Sequence, residues 1–360
     1  MRNINKPLKV DQRHSKEDWF SRQLLEWYHI HKRDLPWRET KDPFKVWLSE
    51  IILQQTRVSQ GLPYYVKFTE AFNTIEEFAH ADLDEILKLW QGLGYYSRAR
   101  NMHKCAEMVV ADYSGRFPDN FQELQKLKGV GKYTAAAIAS ICFDQAVPTI
   151  DGNVFRVMSR LFGISDDIAK ASSFKVFFNS ALRLISQKEP GNFNQAMMEF
   201  GATICVPKAP DCGECMFSSQ CFAKRKDMIE VLPIKSKNIK IKYRYFNYHV
   251  FAFKNQLLIR QRSSGDIWTG LFEFDLQETE KSLKSSNFEN AKLQYSSEEI
   301  VHQLTHQKLH IQFHVYELDN RKVFEQLGKD KMMKIVSVND LSDYAVPKPI
   351  ELFLNKEFCQ

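Results

Sequence analysis

The sequence predicts a chain of two domains, an all-α domain followed by a smaller α+β domain. Its 360 residues are more than one ordinary core accommodates. Up to about Met228, apolar residues recur at helical spacing between glycine-rich turns, as in Leu83–Trp90. From Tyr243 onward the pattern changes to alternating, β-branched and aromatic runs. We therefore expect domains at 1–228 and 243–360, joined by a basic linker at 229–242.

The composition is that of a folded, water-soluble protein. Hydrophobic residues make up 44% of the chain and charged residues 26%, with no low-complexity tract. The formal net charge of +6 permits a phosphate-rich partner without requiring one. The first twenty residues are polar, and no run approaches the length of a membrane span. We expect a cytoplasmic protein that does not bind a membrane.

The α+β domain is predicted from its strand patterns. Segments 243–253 and 256–260 read as strands, and Lys254-Asn255 between them suits a hairpin turn. The run His310–Tyr316 alternates, so one face carries Ile311, Phe313 and Val315. These segments predict a sheet in the C-terminal third.

Four cysteines lie close together in one loop-rich stretch near the end of the first domain. Their spacing is C-x6-C-x2-C-x5-C, formed by Cys205, Cys212, Cys215 and Cys221. In a reducing compartment these cysteines are not expected to form disulfides. Four thiolates at such short spacing suit either structural zinc or a [4Fe-4S] cluster, and the spacing does not separate the two.

A glycine turn and two carboxylates suggest a site for chemistry on a phosphate-bearing substrate. In Leu127–Gly131 two glycines allow a tight turn whose amides can approach a phosphate. Asp151 follows about twenty residues later, where it can also cap the helix that begins near Asn153. Glu50 lies in a helical stretch among apolar neighbours, where lost hydration favours the protonated carboxyl. Such a group can deliver a proton near neutral pH.

Taken together, these segments resemble the endonuclease III-type helix-hairpin-helix DNA glycosylases. The resemblance implies a [4Fe-4S] cluster rather than zinc at the four cysteines. It also implies that the cysteine loop faces DNA phosphates, with Lys208 as a contact, and that the hairpin Gly129, Val130 and Gly131 binds the DNA backbone. Asp151 would stand beside the sugar and stabilise its positive charge.

Three segments place the resemblance in the adenine glycosylase branch of that superfamily: Ser49–Arg57, Arg33–Arg38 and Gly92–Tyr96. In that branch Glu50 would protonate adenine N7, and the catalytic group would be completed by Tyr133 and Asn153. The resemblance implies an adenine pocket lined by Arg33, Trp37, Leu53 and Gln195. It implies duplex contacts at Gln54, Gln55, Thr56, Arg57, Leu93, Gly94 and Tyr95.

The same resemblance bears on strand cleavage. Tyr133 stands where bifunctional relatives carry a catalytic lysine. Lys132 is one residue off, which on a helix turns it about 100° away from the pocket. We therefore expect a monofunctional glycosylase.

The C-terminal domain resembles the Nudix-like domain that adenine glycosylases use to recognise 8-oxoguanine. The helix motif of Nudix pyrophosphatases is missing after Trp268–Glu273, which argues against hydrolase activity. Leu304-Thr305-His306 takes the place of the Phe-Ser-His loop of that family. Thr305 and His306 are the implied lesion contacts, whereas Leu304 replaces an aromatic residue.

The expected function is hydrolysis of the N-glycosidic bond of adenine opposite 8-oxoguanine or guanine in duplex DNA. We expect a monomer that is associated with the nucleoid. The runner-up enzyme class excises thymine glycol or mismatched thymine instead of adenine. The non-enzyme alternative is a cluster-bearing DNA-binding protein that has lost catalysis, and the presence of both Glu50 and Asp151 argues against it.

Overall fold

The computed structural model describes residues 13–236, 241–281, 288 and 291–358, with side chains described from residue 19 onward. The chain divides into two compact units. The first unit contains Met1–Ala79 and Lys104–Lys237, and the second contains His80–His103 and Asn238–Gln360. An all-α part and a sheet-rich part are thus both present, as predicted.

Helices account for nearly all regular structure up to residue 225. Along the described chain they are α1 (Arg13–His31), α2 (Pro43–Ile52), α3 (Val58–Ala71), α4 (Ile75–His80), α5 (Leu83–Leu89), α6 (Ser97–Tyr113), α7 (Phe121–Leu124), α8 (Lys132–Cys142), α9 (Gly152–Phe162), α10 (Ser173–Leu182), α11 (Pro190–Thr203) and α12 (Phe222–Arg225). A 3-10 turn at Pro36–Arg38 precedes α2. No helix among the described residues is long and apolar enough to cross a membrane.

Capping residues fix where the two helices that carry the carboxylates begin. Asp42 caps α2 by accepting a hydrogen bond from the Phe44 amide, and Pro43 occupies its first turn. Asp151 caps α9, as the sequence predicted, by accepting from the Val154 amide. Each cap sets the start of its helix and therefore the direction of the side chains that follow.

The first unit is held together around α11. Helices α1, α8 and α9 all pack against it, and α2 packs against α8. The core beneath them is rich in aromatic side chains, with Phe20, Phe177, Phe193, Phe200 and Phe217 almost completely buried. Gly191 allows the start of α11 to approach α8 closely, because a Cβ there would lie 2.8 Å from the Ile141 Cα. This packing positions the helices that line the site described below.

The second unit contains a mixed sheet. Its strands are β1 (Lys242–Phe253), β2 (Gln256–Gln261), β3 (Phe272–Glu273), β4 (Asp275–Thr279), β5 (Lys292–Ser296), β6 (Ile300–Gln303), β7 (Gln307–Glu317) and β8 (Lys334–Ser337). Strands β1 and β7 pair in parallel at the centre, with Phe246 opposite Ile311 and Tyr248 opposite Phe313. The predicted hairpin at Lys254-Asn255 joins β1 to β2.

Helices cover both faces of this sheet. Ile311, Phe313 and Val315 share one face, as the alternation predicted, and pack with residues of α14 (Lys348–Glu357). On the other face Tyr316 packs against Phe324 of α13 (Arg321–Asp330). The strand pattern predicted the first face but not the cover of the second.

The two units differ from the predicted division in two places. The segment 80–103 groups with the C-terminal sheet, where the Arg100 guanidinium donates to the Thr269 carbonyl at 2.6 Å. Residues 229–236 of the predicted linker belong to the first unit, where Ile168 donates its amide to the Ile234 carbonyl at 2.9 Å. The linker residues 237–240 lie outside the described residues.

Candidate active site

One cavity of about 700 Å³ in the first unit brings together most of the predicted site residues. We call it the catalytic cavity. Its walls come from α2, α8, α9, α11 and the segment before α2. The predicted residues that line it are Arg33, Trp37, Glu50, Leu53, Gln54, Gln55, Thr56, Gly129, Gly131, Tyr133, Asp151, Asn153 and Gln195.

Glu50 lies on the last turn of α2 and is 8% exposed. Burial raises its pKa to about 7, an effect that a hydrogen bond with Tyr133 opposes and the nearby Asp151 reinforces. The carboxyl is therefore partly protonated at neutral pH, which is what a proton donor requires. The sequence argument for a desolvated glutamate at this position agrees with the structure.

Asp151 lies across the same cavity at the start of α9. One carboxylate oxygen accepts from the Val154 amide at 2.8 Å, and the other accepts from the Asn153 side chain at 2.9 Å. Burial raises its pKa above the ordinary value, whereas these hydrogen bonds lower it. The two bonds hold the carboxylate in one orientation inside the cavity.

Asn153 is oriented in turn by Arg156, which the sequence reasoning did not identify. The Arg156 guanidinium donates to the Asn153 side-chain oxygen at 2.8 Å and to the Gly201 carbonyl at 2.7 Å. It also donates to the Cys205 carbonyl at 2.7 Å. A continuous set of hydrogen bonds thus connects Asp151 with the beginning of the cysteine loop.

Tyr133 stands on the first turn of α8 and hydrogen-bonds Glu50. Its hydroxyl also lies 2.9 Å from Met198 Sδ. Lys132 contributes to the cavity lining, but its ammonium lies 4.9 Å from the centre of the Phe174 ring. The amine is therefore engaged outside the pair of carboxylates.

A third carboxylate, Glu199 on α11, also lines the cavity and was not predicted from the sequence. It accepts from Arg33 at 2.6 and 2.7 Å and from Arg38 at 2.7 Å, and its side chain is 1% exposed. Burial alone would raise the pKa of Glu199, but the two arginines outweigh burial and hold it at about 2. One turn earlier, Gln195 accepts from the Tyr28 hydroxyl at 2.7 Å. The i, i+4 spacing of Gln195 and Glu199 was the sequence signal that could have revealed the second residue.

Replacing Glu199 by Gln is expected to lower the free energy of unfolding by roughly 3 kcal/mol, because two arginines would lose a buried anion. The folded pKa of about 2 lies below the ordinary 4.5, so this stabilisation is complete above about pH 4.5 and is lost as the pH falls toward 2. Denaturant unfolding at several pH values measures both effects. Glu39→Gln is the control, since Glu39 is 68% exposed and lies 3.8 Å from Lys32. Equal stability of the two variants would contradict the prediction.

The four predicted cysteine ligands line one small cavity in the first unit, and none forms a disulfide. Arg160, 3% exposed, lies beside them with its guanidinium 3.6 Å from Cys205 Sγ. The same guanidinium donates to the Ile229 and Leu232 carbonyls at 3.1 and 3.0 Å. Within the described part of the chain, no three His, Cys, Asp or Glu side chains are arranged to hold a single metal ion.

Several predicted duplex contacts lie at the surface of their unit. Gln55 and Tyr95 both have positive φ, 56° and 49°, which is uncommon for residues other than glycine and concentrates at functional sites. Arg57 and Lys208 are exposed. Leu93 and Val130, in contrast, are 6% and 5% exposed, so in this structure they pack inside. Gly94 has a φ of 71° next to Tyr95 and completes the exposed turn.

Within the second unit, the structure brings two predicted contacts together. The hydroxyl of Tyr95, from the segment 80–103, hydrogen-bonds the hydroxyl of Thr305. His306 is exposed beside it, and its carbonyl accepts from the Lys242 amide at 2.9 Å. Leu304 is half-buried among the core residues of the sheet. Tyr95 and Thr305, which are far apart in sequence, thus form one exposed polar pair.

Two family profiles match the chain in succession. Residues 48–177 match a profile described as HhH-GPD superfamily base excision DNA repair protein. Residues 248–356 match a profile described as a NUDIX domain. The first match contains Glu50, Tyr133, Asp151 and Asn153, and the second contains Thr305 and His306.

Curated relatives are similar over the chain. A protein of Buchnera aphidicola subsp. Schizaphis graminum, named adenine DNA glycosylase, is 34% identical over 342 residues, which are 93% of this chain and 97% of the relative. A protein of that name from Homo sapiens is 42% identical over 216 residues, which are 58% of this chain and 40% of the relative.

Solved structures resemble the helical part. A thermostable thymine-DNA glycosylase is 31% identical with a TM-score of 0.55, covering 59% of this chain and 98% of its own. An endonuclease III trapped covalently on DNA is 23% identical with a TM-score of 0.52, covering 61% of this chain and all of its own, which shows a shared fold.

Proposed function

Because this chain belongs to the adenine DNA glycosylases, helix-hairpin-helix enzymes of base excision repair, we propose that its substrate is adenine opposite 8-oxoguanine or guanine in duplex DNA. We further propose that it hydrolyses the N-glycosidic bond without cutting the strand. The observation that carries the mechanism is a buried, readily protonated Glu50 in the same cavity as Asp151.

The two carboxyl groups have different roles in the reaction. Adenine is a poor leaving group until a ring nitrogen is protonated, and Glu50 in its protonated form supplies that proton. As the bond to the base breaks, positive charge develops on the sugar, and Asp151 as an anion stabilises it. Water then completes the hydrolysis. The adenine must leave the base stack to reach this cavity, because the reacting bond is inaccessible inside the duplex.

The absence of strand cleavage is supported by the residue at the start of α8. A Schiff base with the sugar needs an unprotonated amine directed at the reacting carbon. Tyr133 offers a hydroxyl there, and the neighbouring Lys132 amine lies over the Phe174 ring. Both observations support a glycosylase that forms no Schiff base.

Recognition of the opposite base is proposed for the Tyr95–Thr305 pair together with His306. Their polar groups are exposed in the second unit and can both donate and accept hydrogen bonds. 8-Oxoguanine differs from guanine at its ring edge by an added carbonyl oxygen and a ring N–H. A hydroxyl pair suits that change, since a hydroxyl can serve either partner.

A panel of duplexes under single-turnover conditions tests the proposed function. It should contain adenine opposite 8-oxoguanine, guanine and thymine, together with thymine opposite guanine. We expect adenine release from the first two duplexes, with alkali needed afterwards to break the strand. Release of thymine with adenine untouched would overturn the proposed substrate. Strand breaks without alkali would overturn the proposed monofunctional chemistry.

We propose further that Cys205, Cys212, Cys215 and Cys221 hold a [4Fe-4S] cluster. Four cysteines are the ligand set of such a cluster, and here all four thiols line one cavity beside a buried arginine. The positive charge of this arginine stabilises the negative charge of thiolate ligands. The cluster would supply a covalent crosslink that fixes the loop between α11 and α12.

Purified protein is expected to contain stoichiometric iron and sulfide. Cys221→Ser should lose most of both, because one of four ligands is removed. Cys142→Ala is the control, since Cys142 lies outside the loop and should leave the iron content unchanged. Colorimetric iron and sulfide analysis with absorption spectra measures the result. Stoichiometric zinc with no iron in the parent protein would contradict the cluster.

A further inference from the structure

A second cavity, of about 340 Å³, adjoins the catalytic cavity within the first unit. We call it the side cavity. Three residues, Arg38, Ile141 and Gln195, line both cavities. Ile141, Gln195 and the Arg38 side chain are each 8% exposed, and we call these three residues the shared wall.

The two cavities are bordered by different parts of the chain. Predicted duplex contacts at Gln54, Gln55, Thr56, Gly129 and Gly131 line the catalytic cavity. The side cavity is lined from segments 38–41, 141–144 and 188–195, none of which contains a predicted duplex contact. A duplex seated over the catalytic cavity would therefore leave the side cavity open to solvent. This step rests on the proposed function.

Such an arrangement addresses a physical problem of base excision. Once the bond to the base is broken, the sugar and the duplex still occupy the mouth of the catalytic cavity, and the free base lies behind them. The base must either wait for the DNA to dissociate or leave by another opening. We propose that the side cavity is a transient binding site for the free purine and the route by which it leaves while the DNA is still bound.

Gln195 is the part of the wall that can open. Arg38 is fixed by Glu199 at 2.7 Å and lies over the Tyr28 ring, whereas Gln195 accepts one hydrogen bond, from the Tyr28 hydroxyl. Rotation of the Gln195 side chain would join the two cavities. Its amide can both donate and accept, as a neutral adenine requires of a partner.

Two charged residues that line the side cavity form a weak contact with each other. Lys41 and Asp144 form an ion pair of 2.8 Å whose side chains are 64% and 62% exposed. Exposed pairs of this kind are screened by solvent and open readily. Asn192 also lines the side cavity and donates to Glu189 at 2.8 Å. Cationic, anionic and amide groups together offer both donors and acceptors along the route.

The experiment follows base and DNA separately in one single-turnover reaction on a duplex with labelled adenine opposite 8-oxoguanine. Quenched samples give the rate constant of bond cleavage. Unquenched samples passed through a filter that retains protein show whether free adenine has left while the DNA is still held. In the parent protein, adenine is expected in the filtrate at the rate of cleavage while the DNA remains on the filter. Adenine that appears only together with the DNA would overturn the route.

Two obstructing variants test the assignment of the cavity. Asn192→Trp and Lys188→Trp each place an indole in the side cavity, whereas Gln187→Trp puts the same group at a neighbouring exposed position outside it. Adenine release should lag behind cleavage by roughly tenfold in the first two variants and keep pace in the third, because only release is obstructed. Release that keeps pace with cleavage in both obstructing variants would overturn the route. Absence of cleavage by the parent protein would overturn the proposed function and the route with it.

Discussion

Glu50→Gln is expected to lower the single-turnover rate constant for adenine release by roughly 10⁴-fold, the upper end of what general acid catalysis contributes. The change keeps the size of the side chain and removes the proton that the base must receive. Glu70→Gln, an exposed position on α3, is the matched control and should react like the parent. A Glu50→Gln protein that frees adenine at the parental rate would eliminate Glu50 as the acid.

The dependence of the reaction on pH gives the same residue a second test. The reactive form of Glu50 is protonated, and its pKa is about 7. The rate constant should therefore be level below about pH 7 and fall by about tenfold for each further unit of pH. In Glu50→Gln the remaining rate constant should no longer fall as the pH rises above 7. If the rate constant of the variant falls with pH as it does in the parent, the titrating group is not Glu50.

Asp151→Asn is expected to reduce the same rate constant by roughly 10³-fold, because the charge that stabilises the sugar cation is removed. The variant should remain folded, since asparagine caps a helix as well as aspartate does and can still accept from the Val154 amide. Asp112→Asn, an exposed site on α6, is the control. Equal unfolding free energies for Asp151→Asn and the parent would assign the loss to chemistry.

Duplex binding separates a catalytic defect from a binding defect in Asp151→Asn. Its affinity for the adenine:8-oxoguanine duplex should stay within a few fold of the parent, since Asp151 lies inside the catalytic cavity and is not one of the predicted duplex contacts. A fall in affinity that matches the fall in rate would contradict a role confined to the reaction.

The sequence was most informative where a local pattern carries the chemistry. The cysteine spacing, the glycine turn and the stretch around Asp151 are each contained in a few consecutive residues. Glu50 could be predicted as a desolvated acid because apolar neighbours on its own helix bury it. The structure places the glycine turn, Glu50 and Asp151 at the catalytic cavity and the four cysteines at a cavity of their own.

Other site residues depend on partners that are distant in sequence. Glu199 meets Arg33 across 166 positions, and neither residue alone signals that pairing. Arg156 is an ordinary helix residue until the fold brings the Cys205 carbonyl to it. The grouping of segment 80–103 with the C-terminal sheet similarly follows from contacts between remote segments, such as Tyr95 with Thr305. Patterns within a few consecutive residues therefore do not predict such contacts.

The buried guanidinium of Arg160 has a practical consequence for shortening the chain. Two of its acceptors, the carbonyls of Ile229 and Leu232, lie beyond the boundary at 228 that the sequence suggested. A truncated polypeptide ending there would leave a desolvated cation short of acceptors next to the thiols. The smallest self-sufficient catalytic fragment should instead extend through Ser236, whose amide still donates to Asp167 at 3.1 Å.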